Sequence, residues 1–162
     1  MQQTKIFKVL YNYYMNKAKD IIFYIVIGTG LYYLNYSLNS VFLPHFLQEQ
    51  LISLLGTLLA INIANSTLLL SKLEDVLTKQ GITKNSTTFA KTRKEVRNNL
   101  KEQIILICIA LLALVVWESP LFAKSSVGHI TGAICSSTLI YALAILWDTA
   151  KAVFIILDFS QK

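Results

Sequence analysis

The sequence LISLLGTLLAINIANSTLLLS occupies residues 51–71, and it decides the fold class. No charged side chain lies between Glu49 and Lys72, so the run is long enough for the ~20 residues with which an α-helix crosses the hydrocarbon of a bilayer. We therefore predict a transmembrane helix here, and an integral membrane protein of the all-α class.

Three further apolar runs accompany this stretch. Residues 21–43 stop at Pro44, residues 104–117 need apolar neighbours at both ends to complete a span, and residues 129–147 precede another short apolar run. The whole chain is 54% hydrophobic and 15% charged, whereas soluble domains are about 25% charged. The sequence therefore predicts four transmembrane helices packed as a bundle.

The 162 residues divide into five expected segments. These are a basic amphipathic juxtamembrane helix (1–20), transmembrane helices 1 and 2 (21–71), a basic helical hairpin (72–102), transmembrane helices 3 and 4 (103–147), and a cytoplasmic or interfacial tail (148–162).

Lysine and arginine are concentrated in two of these segments. Twelve of the 15 lie before helix 1 or between helices 2 and 3, and the connection between helices 1 and 2 has none. By the positive-inside rule, the basic hairpin and both termini are expected in the cytoplasm. The net charge of +6 then reflects orientation in the membrane, and we expect no nucleic-acid partner.

Small residues form a stripe along helix 2. Most recur at alternating intervals of four and three residues, with Gly56 at the margin: Ser53, Gly56, Thr57, Ala60, Ala64 and Thr67. Small side chains let helices approach closely in lipid, so the stripe predicts a helix-helix seam, either within the subunit or between copies of a homo-oligomer. Lining of a pore is the alternative.

Asn62 and Asn65 lie nearly opposite this stripe. Because polar groups lie on both faces, we expect helix 2 to be the central helix. Buried carboxamides need hydrogen-bond partners, and Asn35 and Asn39 of helix 1 are the candidates for them.

Asp148 and Lys151 continue a periodic series on helix 4 and are expected to pair as i,i+3 neighbours. If helix 4 runs unbroken to residue 157, the pair could lie in the hydrocarbon and mark a functional site. The simpler interpretation ends the span at Trp147, with the two charges among the headgroups and an interfacial tail behind them.

The basic hairpin offers a second candidate surface. Its 31 residues exceed the usual length of a helix connection. Its cations suit either attraction to anionic lipid or docking of an acidic cytosolic protein, and they are Lys91, Arg93, Lys94, Arg97 and Lys101.

No catalytic constellation is visible in the sequence. It has no paired-acid site and no phosphate loop, and the only histidines, His45 and His129, have no ligand spacing to a cysteine or carboxylate. We therefore expect a protein that is not an enzyme and that uses neither a metal nor a cofactor.

The runs FLQEQLISLLGTLLAINIANSTLLLSKLEDVL and KTRKEVRNNLKEQIILICIALLAL fall within residues 46–114. They resemble small membrane proteins encoded in bacterial phage-defence operons, including effectors and membrane subunits of two-component systems. This resemblance implies an inner-membrane protein that either damages the membrane or acts as a membrane sensor paired with a cytosolic protein. It carries no site residues with it.

Overall fold

The computed structural model describes residues 2–79, 87–119 and 126–160. They form four helices, α1 (Gln2–Ser37), α2 (Phe42–Lys79), α3 (Thr87–Glu118) and α4 (Ser126–Ser160). The all-helical class is confirmed. Residues 80–86 of the expected basic hairpin lie outside the described residues, and so do the side chains of residues 2–18, on which the expected amphipathic pattern depends.

Three of the helices are long and apolar enough to cross a membrane. The qualifying parts are Phe42–Thr78, Phe89–Glu118 and Val127–Asp158, and α1 contributes a shorter apolar part, Ile21–Ser37. At 1.5 Å per residue that part is about 25 Å long, slightly less than the ~30 Å of a hydrocarbon core. A fourth span and the orientation of the termini stay predictions.

The first helix ends earlier than expected. A turn at residues 38–41 separates α1 from α2, and within it Asn39 takes a left-handed backbone conformation with φ of 49°, which asparagine tolerates better than most residues. Pro44 lies in the first turn of α2, where a missing N–H costs nothing, and the N–H of His45 then bonds the carbonyl of Val41 at 3.2 Å. The proline thus helps to start the second helix and does not end the first.

The central helix is α4, and the expectation that helix 2 is central was wrong. α4 packs against all three other helices, α2 and α3 also pack together, and α1 meets α2 at few positions and α3 at none within the described ranges. Three helices can approach α4 because its buried residues are mostly small: Thr131, Gly132, Ala133, Cys135, Ser136, Ser137 and Thr138. The largest part of the core joins Leu47, Leu51 and Leu55 of α2 to α3 and α4.

A second apolar cluster extends the bundle beyond the expected end of helix 4. Leu69 of α2, Val96 of α3 and Val153 of α4 are buried together. The helix α4 therefore continues past Trp147 to Ser160, and the position of its last residues relative to the membrane stays a prediction.

Candidate functional site

The small residues of helix 2 lie on the outside of the molecule. All six expected positions are exposed, and we call this surface the outer α2 face: Ser53, Gly56, Thr57, Ala60, Ala64 and Thr67. A Cβ added at Gly56 would meet no described atom within 4 Å. The stripe is therefore not a seam within the subunit.

The two threonine hydroxyl groups of the outer α2 face are satisfied by their own helix. Thr57 Oγ1 donates to the carbonyl of Ser53 at 2.9 Å, and Thr67 Oγ1 donates to that of Ile63 at 2.9 Å. Such bonds to the preceding turn let threonine lie in an apolar environment without an external partner. The face is consequently only weakly polar.

The opposite side of α2 is packed and includes buried polar side chains among its leucines. Asn62 is fully buried, and its Nδ2 donates to Oε1 of Gln103 on α3 at 3.0 Å. The expected interhelical hydrogen bond of Asn62 is present. The prediction that its partner lies in helix 1 was wrong, because the partner is Gln103 on α3. Asn35 donates to the carbonyl of Ser40 at 2.7 Å, and Asn39 lies in the turn.

Gln103 was missed because it follows a carboxylate at the edge of an apolar run and resembles a cytosolic residue. A signal was present in the sequence, since Val96, Gln103 and Ala110 are spaced by seven residues and all three are buried. A heptad spacing of this kind places residues on one packed side of a helix.

The buried amide pair retains hydrogen-bonding capacity. Asn62 Oδ1, Gln103 Nε2 and the hydroxyl of the neighbouring Ser66 have no hydrogen-bond partner within the described parts of the protein. Asn65, which precedes Ser66 in the sequence, is half-buried. Unsatisfied buried polar atoms cost about 1–3 kcal/mol each, so these three atoms offset the gain from the bond between Asn62 and Gln103.

The expected charge pair on helix 4 does not form. Asp148 and Lys151 are both exposed in the described part of α4, and no ion pair joins them. Tyr141 lies earlier on α4 and does contact a charged side chain. Its hydroxyl donates to Glu102 Oε2 at 3.1 Å.

α1 and α4 cross at two glycines. A Cβ at Gly28 would clash with the backbone of Ser137, and a Cβ at Gly132 would clash with the ring of Tyr32. The Ser137 hydroxyl contacts the carbonyl of Ile25 at 3.2 Å as well as that of Ala133 at 2.8 Å. This close approach positions α1 on the central helix.

The cations of the basic hairpin surround the first half of α3. Five of them are exposed: Lys91, Arg93, Lys94, Arg97 and Lys101. Val96 in their midst is buried against α2 and α4. The charges therefore stand on a helix that is fixed to the bundle.

Within the described residues, no group of three or more histidine, cysteine or acidic side chains could hold a metal ion. Comparison of the whole chain with protein-family models, curated proteins and solved structures finds no match.

Proposed function

We propose that this chain is a non-enzymatic membrane protein that self-associates through the outer α2 face. The observation that carries the proposal is the exposure of this face. Many other exposed residues are large and apolar, such as Leu112 at 68% and Val115 at 70% exposure. The outer α2 face instead has the small residues that favour helix association in lipid.

We further propose that the assembly is channel-like or perturbs the membrane. If copies meet around an axis with α2 inward, the hydroxyls of Ser53, Thr57 and Thr67 line that axis because all three lie on the outer α2 face. Asn62 is not part of this lining, since it is buried against Gln103. The setting is a bacterial inner membrane with both termini cytoplasmic, as the charge distribution and the resemblance imply.

Association is tested by enlarging the outer α2 face. Gly56→Leu and Ala60→Leu should convert the oligomer into monomers in nanodiscs, as measured by native mass spectrometry, because leucine keeps the two backbones apart. Gly30→Leu is the matched control. Gly30 is also exposed, and a Cβ there meets no described atom within 4 Å. Oligomers that survive both substitutions on α2 would refute the proposal.

Conduction is tested by removing one hydroxyl at nearly constant shape. Thr57→Val should lower ion flux into liposomes while the oligomer persists, because a pore lining loses a polar group. Thr78→Val is the control, since Thr78 makes the same bond to its own helix, Oγ1 to the Glu74 carbonyl at 2.8 Å, at the end of α2. Unchanged flux in Thr57→Val would remove the channel proposal and leave self-association standing.

A second candidate function is an anchor or sensor that docks an acidic cytosolic protein. It is supported by the exposed cations on α3, because packing of Val96 holds them on a rigid surface. Reversing Arg93, Lys94 and Arg97 to glutamate should abolish binding of that protein and leave membrane insertion unchanged. Binding that survives the reversal would refute docking at this surface.

A role in phage defence is proposed on the resemblance. Cells that express the chain should reduce phage plaque formation, and cells that express Gly56→Leu should not. Equal plaque counts with and without the chain would remove this role.

A further inference from the structure

The exposed surface of α3 includes a narrow apolar belt. Lys101 and Glu118 are exposed at its two ends. Every exposed side chain between them is apolar: Ile104, Ile105, Cys108, Ile109, Leu111, Leu112 and Val115. At the helical rise of 1.5 Å per residue, the two charged residues are about 26 Å apart along the helix. The belt between them is therefore shorter than the ~30 Å hydrocarbon core of a typical bilayer.

The longer charge-free run of α2 does not widen this belt. The hydrogen bond from Asn62 to Gln103 places the middle of that run beside the Lys101 end of the belt. From this bond toward the other end, the next charged residue is about 20 Å away on α2, at Glu49, and about 22 Å away on α3, at Glu118. Residues 63–71 of α2 lie beside the charged start of α3, because the second apolar cluster joins this part of α2 to α3.

The apolar surface of α1 is short as well. Lys19 is exposed just before the apolar part Ile21–Ser37, which is about 25 Å long. Both α1 and α3 pack on the central helix α4, and they line one side of it together. The apolar surface is therefore short on both of the helices that flank this side of the bundle.

The two charged ends of the belt differ in how they accommodate a thicker bilayer. A short apolar surface is matched by thinning of the bilayer or by snorkelling of the flanking side chains, and each Cα–Cβ bond of a helix tilts toward the N-terminus. Lys101 lies at the N-terminal end of the belt, so its long side chain extends away from the belt and carries the ammonium toward water. Glu118 lies at the C-terminal end, so its short side chain leans toward the belt. Snorkelling therefore serves the Lys101 end, and at the Glu118 end the lipid has to adjust.

We propose that the exposed surface of α1 and α3 binds phospholipids with short acyl chains in preference to longer ones, so that the protein thins a bilayer of ordinary thickness around itself. The preference depends on the length of the apolar surface and is the same for every headgroup. This inference deepens the proposed perturbation of the membrane by giving it a mechanism without a pore. It rests on the proposed spanning of the membrane by α1, and it does not rest on self-association through the outer α2 face.

The test measures competition between lipids at the belt by fluorescence quenching. A reporter chain has Leu112→Trp in the belt, where the native side chain is 68% exposed, and phenylalanine in place of its two natural tryptophans, Trp117 and Trp147. It is reconstituted in phosphatidylcholine whose eighteen-carbon chains carry bromine, which quenches a tryptophan in contact with it. Unbrominated phosphatidylcholine with chains of fourteen, eighteen or twenty-two carbons then competes. We expect the fourteen-carbon lipid to bind about threefold more tightly than the eighteen-carbon lipid, and the twenty-two-carbon lipid to bind most weakly, since each Å of mismatch has a modest cost.

Two matched double variants of the reporter chain test the length of the belt. Lys101→Leu combined with Glu118→Leu removes the charge at both ends, so the belt becomes longer and the preference for the fourteen-carbon lipid should disappear. Lys94→Leu combined with Glu95→Leu is the control, since it removes the same two charges from exposed positions of α3 outside the belt. The control should keep the preference of about threefold.

Two results would overturn the proposal. The first is equal binding of the fourteen-carbon and eighteen-carbon lipids by the reporter chain, which needs neither double variant. The second is an equal loss of preference in the two double variants. Gly56→Leu in the reporter chain should keep the preference, because contact with lipid does not require a second copy. A chain that forms no oligomer and keeps the preference would refute the proposed self-association and leave this inference standing.

Discussion

Replacement of Gly28 by alanine tests the packing on which the whole arrangement of α1 depends. A Cβ at this position would lie 2.6 Å from the backbone nitrogen of Ser137 and 2.7 Å from its Oγ, whereas non-bonded atoms prefer about 3.5–4.0 Å. The nearest atoms include backbone, so a side-chain rotation cannot relieve the clash. α1 must therefore move away from α4 by about 1 Å, the difference between these distances.

The expected cost follows from two effects. Overpacking of a close contact costs about 1–3 kcal/mol. The displacement also breaks the bond from Ser137 Oγ to the carbonyl of Ile25, now 3.2 Å long, and an interhelical hydrogen bond in a membrane contributes about 1 kcal/mol. Relative to a matched alanine without the clash, Gly28→Ala should destabilise the fold by about 2–4 kcal/mol.

Gly30→Ala supplies that match. It lies on the same helix with no described atom within 4 Å of its Cβ, so both variants share the gain of ~1 kcal/mol that alanine brings to a helix. Unfolding by SDS in mixed micelles can be followed through Trp117, whose ring is 6.2 Å from that of Tyr32 on α1. The other tryptophan, Trp147, is 69% exposed. It is replaced by phenylalanine in all of these proteins, so that the fluorescence reports on Trp117 alone. Equal unfolding midpoints for the two alanine variants would refute the close crossing.

Three further predictions concern the buried amides, the first turn and the far end of α4. Asn62→Leu and Gln103→Leu should each destabilise the chain by about 1–3 kcal/mol by leaving the partner amide unbonded, and the double variant should cost less than the two together; additive losses in SDS unfolding would contradict the pair. Asn39→Val should cost about 1–2 kcal/mol relative to Asn39→Gly because of the left-handed backbone, and equal stability would refute that conformation. Val153→Ala should cost about 1–2 kcal/mol and the exposed Phe154→Ala much less; equal effects would refute the second apolar cluster.

The sequence predicted the helices better than it predicted their partners. A charge-free run such as residues 51–71 indicates a membrane-length helix because transfer into lipid depends on composition and length. The interior face of α2 was not predictable in the same way. Lipid is as apolar as leucine, so hydrophobicity does not distinguish a packed face from a lipid-facing one.

For the candidate sites too, the sequence indicated which residues matter but not what they contact. Asn62 was expected to form an interhelical bond because a buried amide needs a partner, but Gln103 as that partner depends on how α2 and α3 pack. The small stripe was visible as a pattern, yet its outward direction is set by the larger Leu47, Leu51 and Leu55, which occupy the core. The close crossing at Gly28 was not predictable from the sequence, because a single glycine indicates a helix crossing only when the opposing backbone is known.

The dependence of α1 on α4 has a consequence for biosynthesis. Ribosomes make α1 before α2 and α3, but its main docking surface is α4, which begins 89 residues after α1 ends. Contacts this distant in sequence form late because a long loop must close first. A nascent chain arrested before residue 126 should therefore hold α1 without its main partner.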